Sequence, residues 1–242
     1  MLQPKCEWNH ERNTVVLPDN SHCKGITDLL RHHFYPYYNP YAARCSASSS
    51  CIAYKAKSSS GLYGNELGKR LDHELAHGKN DLQETRRVLA YFDEHGLAIV
   101  GCQFPLADVK TKLCTCLDVL VYNKQENTYV VVEVKTGYYG YKEQHVQMMQ
   151  PPCHEYTDSV FNQHQLQLLI SNRLFTLSFP KIKCGRPLLL YAYEDEVVVH
   201  SIDEGLLALQ EDVYRMISRS EHNNRRSVFN LNKNKRNTKR IT

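Results

Sequence analysis

Two carboxylates and a lysine, Asp118, Glu133 and Lys135, stand at the ends of two apolar runs in the segment LDVLVYNKQENTYVVVEVKTG. Between the runs lies the polar stretch Asn123-Lys124-Gln125-Glu126-Asn127, and each run has the length of a short strand. Val119, Val121, Val130, Val131 and Val132 are β-branched, and Tyr122 and Tyr129 are aromatic, which favours strand. The spacing predicts a hairpin in which the beginning of the first strand meets the end of the second. Asp118 then faces Glu133 and Lys135, which share one face because residues two apart on a strand point the same way. The second strand is apolar up to the acid and is expected to be buried on both faces, where an ionised group is costly unless paired or metal-bound. Two carboxylates and an ammonium converging there make a poor core. They make a good cradle for a divalent metal that activates a water.

The elements that position these residues lie on either side. From Leu62 the pattern is helical, with Leu67, Leu71 and Leu75 recurring every four residues and Gly64 and Gly68 on the same side, where they permit close packing. At 100° per residue Asp72 falls on the flank of that leucine stripe, whereas His73 points nearly opposite to it. A second amphipathic helix is expected over residues 79 to 100, carrying Leu82, Val88, Leu89 and Phe92 and stopped by His95-Gly96. The stretch from Leu97 to Asn123 reads as strands, with Asp108 as a turn residue. After Lys135 a long segment carries Tyr138, Tyr139 and Tyr141, suited either to packing or to stacking on the bases of a single strand. A strong helix then starts at Asp158-Ser159, with Leu166, Leu169, Ile170 and Leu174 on one face. RPLLLYAYEDEVVVHSI reads as a last hairpin and EGLLALQEDVYRMISRS as a closing helix.

Asp118 with Glu133-Val134-Lys135-Thr136-Gly137 resembles the PD-(D/E)XK nuclease core, and the trailing Lys-Thr-Gly is similar to its RecB-like and lambda-exonuclease-like branches. The resemblance spans roughly residues 61 to 195; Leu117 stands where the family often has proline. It implies an α/β fold, a restriction-endonuclease-like core with a central mixed sheet flanked by helices. It also implies a metal-dependent deoxyribonuclease, an exonuclease of DNA replication, repair or recombination, using Mg²⁺ with Mn²⁺ able to substitute. RecB-like nucleases place a metal ligand on an early helix, four positions after a glycine. Counting from Gly68 gives Asp72, a hard ligand suited to Mg²⁺, with His73 one step later and Glu66 and Glu74 as substitutes. The metal set implied is Asp72, Asp118, Glu133 and the Val134 carbonyl, and Lys135 orients the water or meets the developing charge. A glutamine on the helix after the E-x-K strand is also a family feature. Gln165-Leu166 resembles it, with Gln163 and Gln167 as competitors, and its role is to position DNA or the lysine.

Composition bounds the reading. A chain of 242 residues with 42% hydrophobic content fits one domain with extensions. Residues 1–60 mix Tyr, His, Pro and Ser and are expected to be an irregular extension and linker, residues 61–218 the nuclease-like domain, and residues 219–242 a basic, disordered tail. From Arg219 on there are eight Lys/Arg and one Glu, a charge of +7, which leaves residues 1–218 at −3 within a total of +4. Such a tail suits contact with DNA phosphates or nuclear targeting. No signal peptide and no membrane span is expected. Nine cysteines without a C-x2-C pair read as thiols of an intracellular, reducing compartment. Cys23 with His22, His32 and His33 does not match a zinc spacing. Related nucleases with an iron–sulfur cluster use C-terminal cysteines, and none follows Cys184.

Overall fold

A computed structural model of the chain describes residues 6–9, 14–17, 22–35, 61–136 and 147–219. Its centre is a six-stranded mixed sheet. The two ends of the chain's longest strands explain the order. Strand β4 (Leu97–Asp108) turns into β5 (Leu113–Asn123), and β5 into β6 (Thr128–Thr136), each pair antiparallel. Asp108 closes the first turn by accepting from the Lys110 amide at 3.0 Å, and Asn123 closes the second by accepting from the amides of Gln125 at 2.9 Å and Glu126 at 3.1 Å. Asp108 is therefore the turn residue that its position suggests. Beyond β6 a helical crossover returns the chain to β7 (Leu188–Ala192), parallel to β6, and β8 (Val197–Ser201) completes a hairpin.

Helices cover both faces. On one side lie α2 (Gly61–His77) and α3 (Gln83–Glu94). Their Leu71, Leu75, Val88 and Phe92 pack on Val119, Val121, Val130, Val132 and Leu190, each fully buried side chain contributing roughly 1.5–3 kcal/mol. Helix α3 stops at Gly96, whose φ of +64° suits a residue without Cβ. It is shorter than the span 79 to 100 expected from periodicity, because Leu97 already begins β4.

On the opposite face lies the crossover helix α4 (Val160–Ser178), started as expected at Ser159, whose side chain accepts from the Asn162 amide at 3.2 Å. It is covered in turn by α1 (Ile26–Phe34), α5 (Glu204–Ala208) and a last helix, α6, over 210–219. The closing helix is thus broken in two at Leu209. Because α4 lies between sheet and helices, Leu168 and Phe175 are buried as completely as Leu166, Leu169, Ile170 and Leu174. No helix of the described residues is long and apolar enough to cross a membrane.

Residues before position 60, expected as an irregular extension and linker, also carry regular elements. A two-stranded ribbon, β1 (Glu7–Asn9) with β2 (Thr14–Val16), leads to β3 (Lys24–Gly25), which pairs parallel with Leu113 and Cys114 of β5. Helix α1 then sinks Ile26, Leu29, Leu30 and Phe34 into the main core. Residues 24–35 belong to the same body as the sheet. Tyr138, Tyr139 and Tyr141, the Ser-rich linker and all of the basic tail beyond Arg219 lie outside the described residues.

Candidate active site at the fork of two strands

Strand β5 has two neighbours on one edge: β3 pairs with its beginning at residues 113–114, and β6 with its end from Val119 on. Val119 pairs with Val132, so Asp118 and Glu133 stand opposite each other where the two strands begin to part. Asp118 reaches across the gap, and its Oδ2 accepts the Val134 N–H at 2.9 Å. A side chain thus replaces a backbone carbonyl at the first rung of the fork.

Glu133 follows Val132 into the interior, and its side chain is 1% exposed. Its Oε1 accepts from two donors, the Lys135 ammonium two residues on and Gln167 Nε2 of α4 at 2.6 Å. Lys135 keeps 16% of its side chain exposed, so the pair lies just under the surface. Asp72 comes from the opposite face of the sheet, next to Leu71 on α2. Gly68 lets this helix approach: a Cβ there would meet Thr136 Oγ1 of β6 at 3.5 Å.

These groups act on one another's ionisation. Burial first, then the Glu133 carboxylate, push the Asp72 carboxyl up to about 6, against the pull of Lys135 and a hydrogen bond from Gln103. Burial and then Glu133 push Asp118 well above the carboxylate range, with Asp72 adding to the rise and Lys135 and the Val134 N–H opposing it. Nearby thiols respond to the same charges. Cys102 rises to about 12 through burial, then Asp72 and Asp118, and Cys116 rises for the same reasons. Both remain protonated. His164, buried on α4 and hydrogen-bonded to the Tyr191 hydroxyl at 2.9 Å, is held well below the usual imidazole range by burial and then by Lys135.

The fork therefore gathers Asp72, Asp118, Glu133, Val134 and Lys135, all of which the sequence singles out. His73 is not part of it: it is exposed and its ring lies 4.1 Å from that of His77. Glu66 is exposed, and Glu74 accepts from the Leu82 amide at 2.9 Å, at the start of α3. The three glutamines of α4 lie in different surroundings. Gln165 is turned away, with its Nε2 donating to Asn162 Oδ1 at 3.1 Å and its Oε1 accepting from the Asp203 amide at 2.8 Å. Gln163 donates to Asp158 at 2.7 Å. Gln167 is the glutamine at the fork, a choice periodicity could not make on a helix buried on several sides. Gln103, Cys102, Cys116 and His164 border the site without any sequence signal that marks them.

Among the described residues no three His, Cys, Asp or Glu side chains are already drawn together as a coordination set; Glu133 instead holds Lys135 and Gln167. The donors at the fork are nonetheless all hard oxygens. Burial, and then the surplus of three carboxylates over one ammonium, makes Asp72 and Asp118 resist ionisation. A hard divalent cation would relieve that surplus, so the residues fit such an ion.

No protein-family model and no curated protein matches the chain. Among solved structures it is similar to the crystal structure of SSO0001, at 16% sequence identity over 80% of this chain and 75% of that one, with a TM-score of 0.35. A likeness at that level bears on neither fold nor activity.

Proposed function

We propose that the chain is a metal-dependent deoxyribonuclease of the PD-(D/E)XK, RecB-like kind, with a restriction-endonuclease-like core, that acts as an exonuclease in DNA replication, repair or recombination. The observation that carries this reading is the meeting of Asp72, Asp118 and Glu133 with Lys135 at one fork, from one helix and two strands. A structural charge pair needs one acid and one base. Three acids around one lysine at the end of a buried strand impose a cost that the fold does not require.

In this reading Asp72, Asp118, Glu133 and the Val134 carbonyl would hold Mg²⁺ or Mn²⁺. When bound, such an ion would supply Lewis-acid activation of a water and charge neutralisation at the scissile phosphate. The Val134 N–H fixes the Asp118 carboxylate, and Gln167 fixes that of Glu133. Lys135, an ammonium among carboxylates, acts as a donor that orients the attacking water and meets charge developing on the phosphoryl oxygens. The basic residues beyond Arg219 supply phosphate contacts.

End-labelled DNA incubated with the full chain and Mg²⁺, Mn²⁺ or EDTA tests the reading. Metal-dependent cleavage is expected, and Asp118→Ala, Glu133→Ala and Lys135→Ala each lower it by at least about 100-fold while circular dichroism stays unchanged. Full activity in any of the three refutes the assignment. A mobility shift without cutting assigns the chain to nucleic-acid binding instead.

A further inference from the structure

The side of α4 that reaches the fork carries more than Gln167. Phe161, His164 and Gln167 follow one another at every third position and lie along one side of the helix. They meet three successive strands of the sheet. Gln167 donates to Glu133 on β6 at 2.6 Å, and His164 Nδ1 shares a hydrogen bond of 2.9 Å with the Tyr191 hydroxyl on β7. Phe161 meets the ring of His200 on β8 in a T-shaped contact, 5.0 Å between centroids. The same His200 ring forms a second T-shaped contact with Tyr191 at 6.0 Å, so the phenol is held from two sides.

Tyr191 is also the register partner of Lys135, as Leu189 is of Glu133. Register partners on neighbouring strands stand about 5 Å apart and turn their side chains to the same face of the sheet. That this is the α4 face follows from the bond between Gln167 and Glu133 and from the place of Leu189 and Tyr191 in the α4 core. The phenol is therefore the β7 neighbour of the lysine stem, wholly buried beneath an ammonium that lies just under the surface. Around it Leu166, Leu169 and Ile170 are fully buried. A phenylalanine against a leucine would fill this core without burying two polar groups. A satisfied buried pair instead fixes one orientation of both rings. His164 is neutral there, through burial and then Lys135, so the pair adds no second cation beside the lysine.

Resting on the nuclease reading above, we propose that Tyr191, fixed by His164, is a positioning residue for Lys135: it walls the lysine stem on the β7 side and so keeps the ammonium at the fork. Lys135 needs such a wall. Its ammonium is tied to Glu133, two residues back on its own strand, and a long, flexible stem between them has many other ways to lie. The helix that fixes Glu133 through Gln167 thus fixes the lysine through His164 and Tyr191, one turn earlier.

The test uses the full chain with Tyr191→Phe and His164→Leu combined, and separately with His164→Asn. The double change removes both partners of the bond together, which leaves neither waiting for the other in the core. Asparagine sets a polar atom where Nδ1 stands and keeps the bond. Melting in EDTA reports the fold, and Mn²⁺ titration without nucleic acid reports the metal site. Nuclear magnetic resonance of the metal-free chain, labelled with heavy nitrogen at lysine, reports the Lys135 ammonium, assigned by its loss in Lys135→Ala. The double variant is expected to melt close to wild type and to bind Mn²⁺ as wild type does, because no acid of the fork is changed. Its Lys135 signal moves or broadens, and kcat falls about 10- to 100-fold with KM for DNA unchanged. His164→Asn keeps the wild-type signal and most of the rate. In a Lys135→Ala background the double change adds nothing further to the loss. A double variant with wild-type signal and kcat, one that loses Mn²⁺ affinity in step with rate, or one that fails to fold overturns the proposal and leaves the nuclease reading standing. A wild-type chain that cuts no DNA with either metal overturns the nuclease reading, and this proposal with it.

Discussion

Asp72 and Asp118 are raised by burial and by the carboxylate they share the fork with, and this has a consequence for the metal-free chain. A carboxyl whose folded-state pKa is raised keeps its proton over a range in which the unfolded chain has lost it. Its contribution to stability is therefore present below the unfolded value and is lost as pH rises through the folded one. For Asp72 that window runs from 3.8 to about 6. In EDTA, Asp72→Asn is expected to remove about 1–3 kcal/mol of the stability decline between pH 4 and pH 7, measured as the difference between urea unfolding free energies at the two values. Parallel pH profiles in variant and wild type would take Asp72 out of the fork. Among these residues, Asp118 and Glu133 are legible in the sequence because regular alternation and a short turn suffice to bring them together. Gln103 is not legible, because it stands where alternation fails: no periodicity announces a strand that changes faces.

At the scale of the elements, the placement of Asp72 depends on how closely α2 lies on β6, and Gly68 faces Thr136 at that approach. The leucine stripe that makes α2 recognisable also fixes its buried face, so the flank position of Asp72 follows from sequence alone. A Cβ at position 68 meets Thr136 Oγ1 at 3.5 Å, an ordinary contact, so alanine fits and gains about 1 kcal/mol of helix propensity. A valine adds two methyl groups beyond that contact. Gly68→Ala is expected to raise the melting temperature with activity retained, whereas Gly68→Val is expected to cost about 1–3 kcal/mol and to lower metal-dependent cleavage out of proportion, by moving the helix that carries the proposed ligand Asp72. Equal activity in the two variants would disconnect α2 from the site. Other elements were harder to read. The stripe Ile26, Leu29, Leu30 and Phe34 of α1 has helical spacing but is followed by Tyr- and Pro-rich sequence that masks it. On α4, Gln163, Gln165 and Gln167 are indistinguishable by period, because three different partners, Asp158, Asp203 and Glu133, surround one helix.

The whole molecule divides its charge unevenly. Residues 1–218 carry −3, although they hold the proposed site for a polyanion, and the residues from Arg219 on carry +7. The acids of the fork contribute to that deficit, and on the proposed reading they could not be removed without removing the chemistry. On the same reading, attraction to DNA at a distance comes largely from the basic segment, through release of counterions rather than through shape. The last described helix ends at residue 219, and Val213 and Ile217 anchor it in the main core, so a chain cut after Arg219 keeps every element described above. Such a chain is expected to melt as the full chain does while binding DNA more weakly at low salt. Plotting the logarithm of the binding constant against that of the salt concentration should give a shallower slope, by about 0.9 for each tail residue that neutralises a phosphate. Catalysis at saturating DNA should change little, because no residue of the fork is lost. An unchanged salt slope would mean that the body of the molecule, despite its negative charge, binds the phosphates unaided.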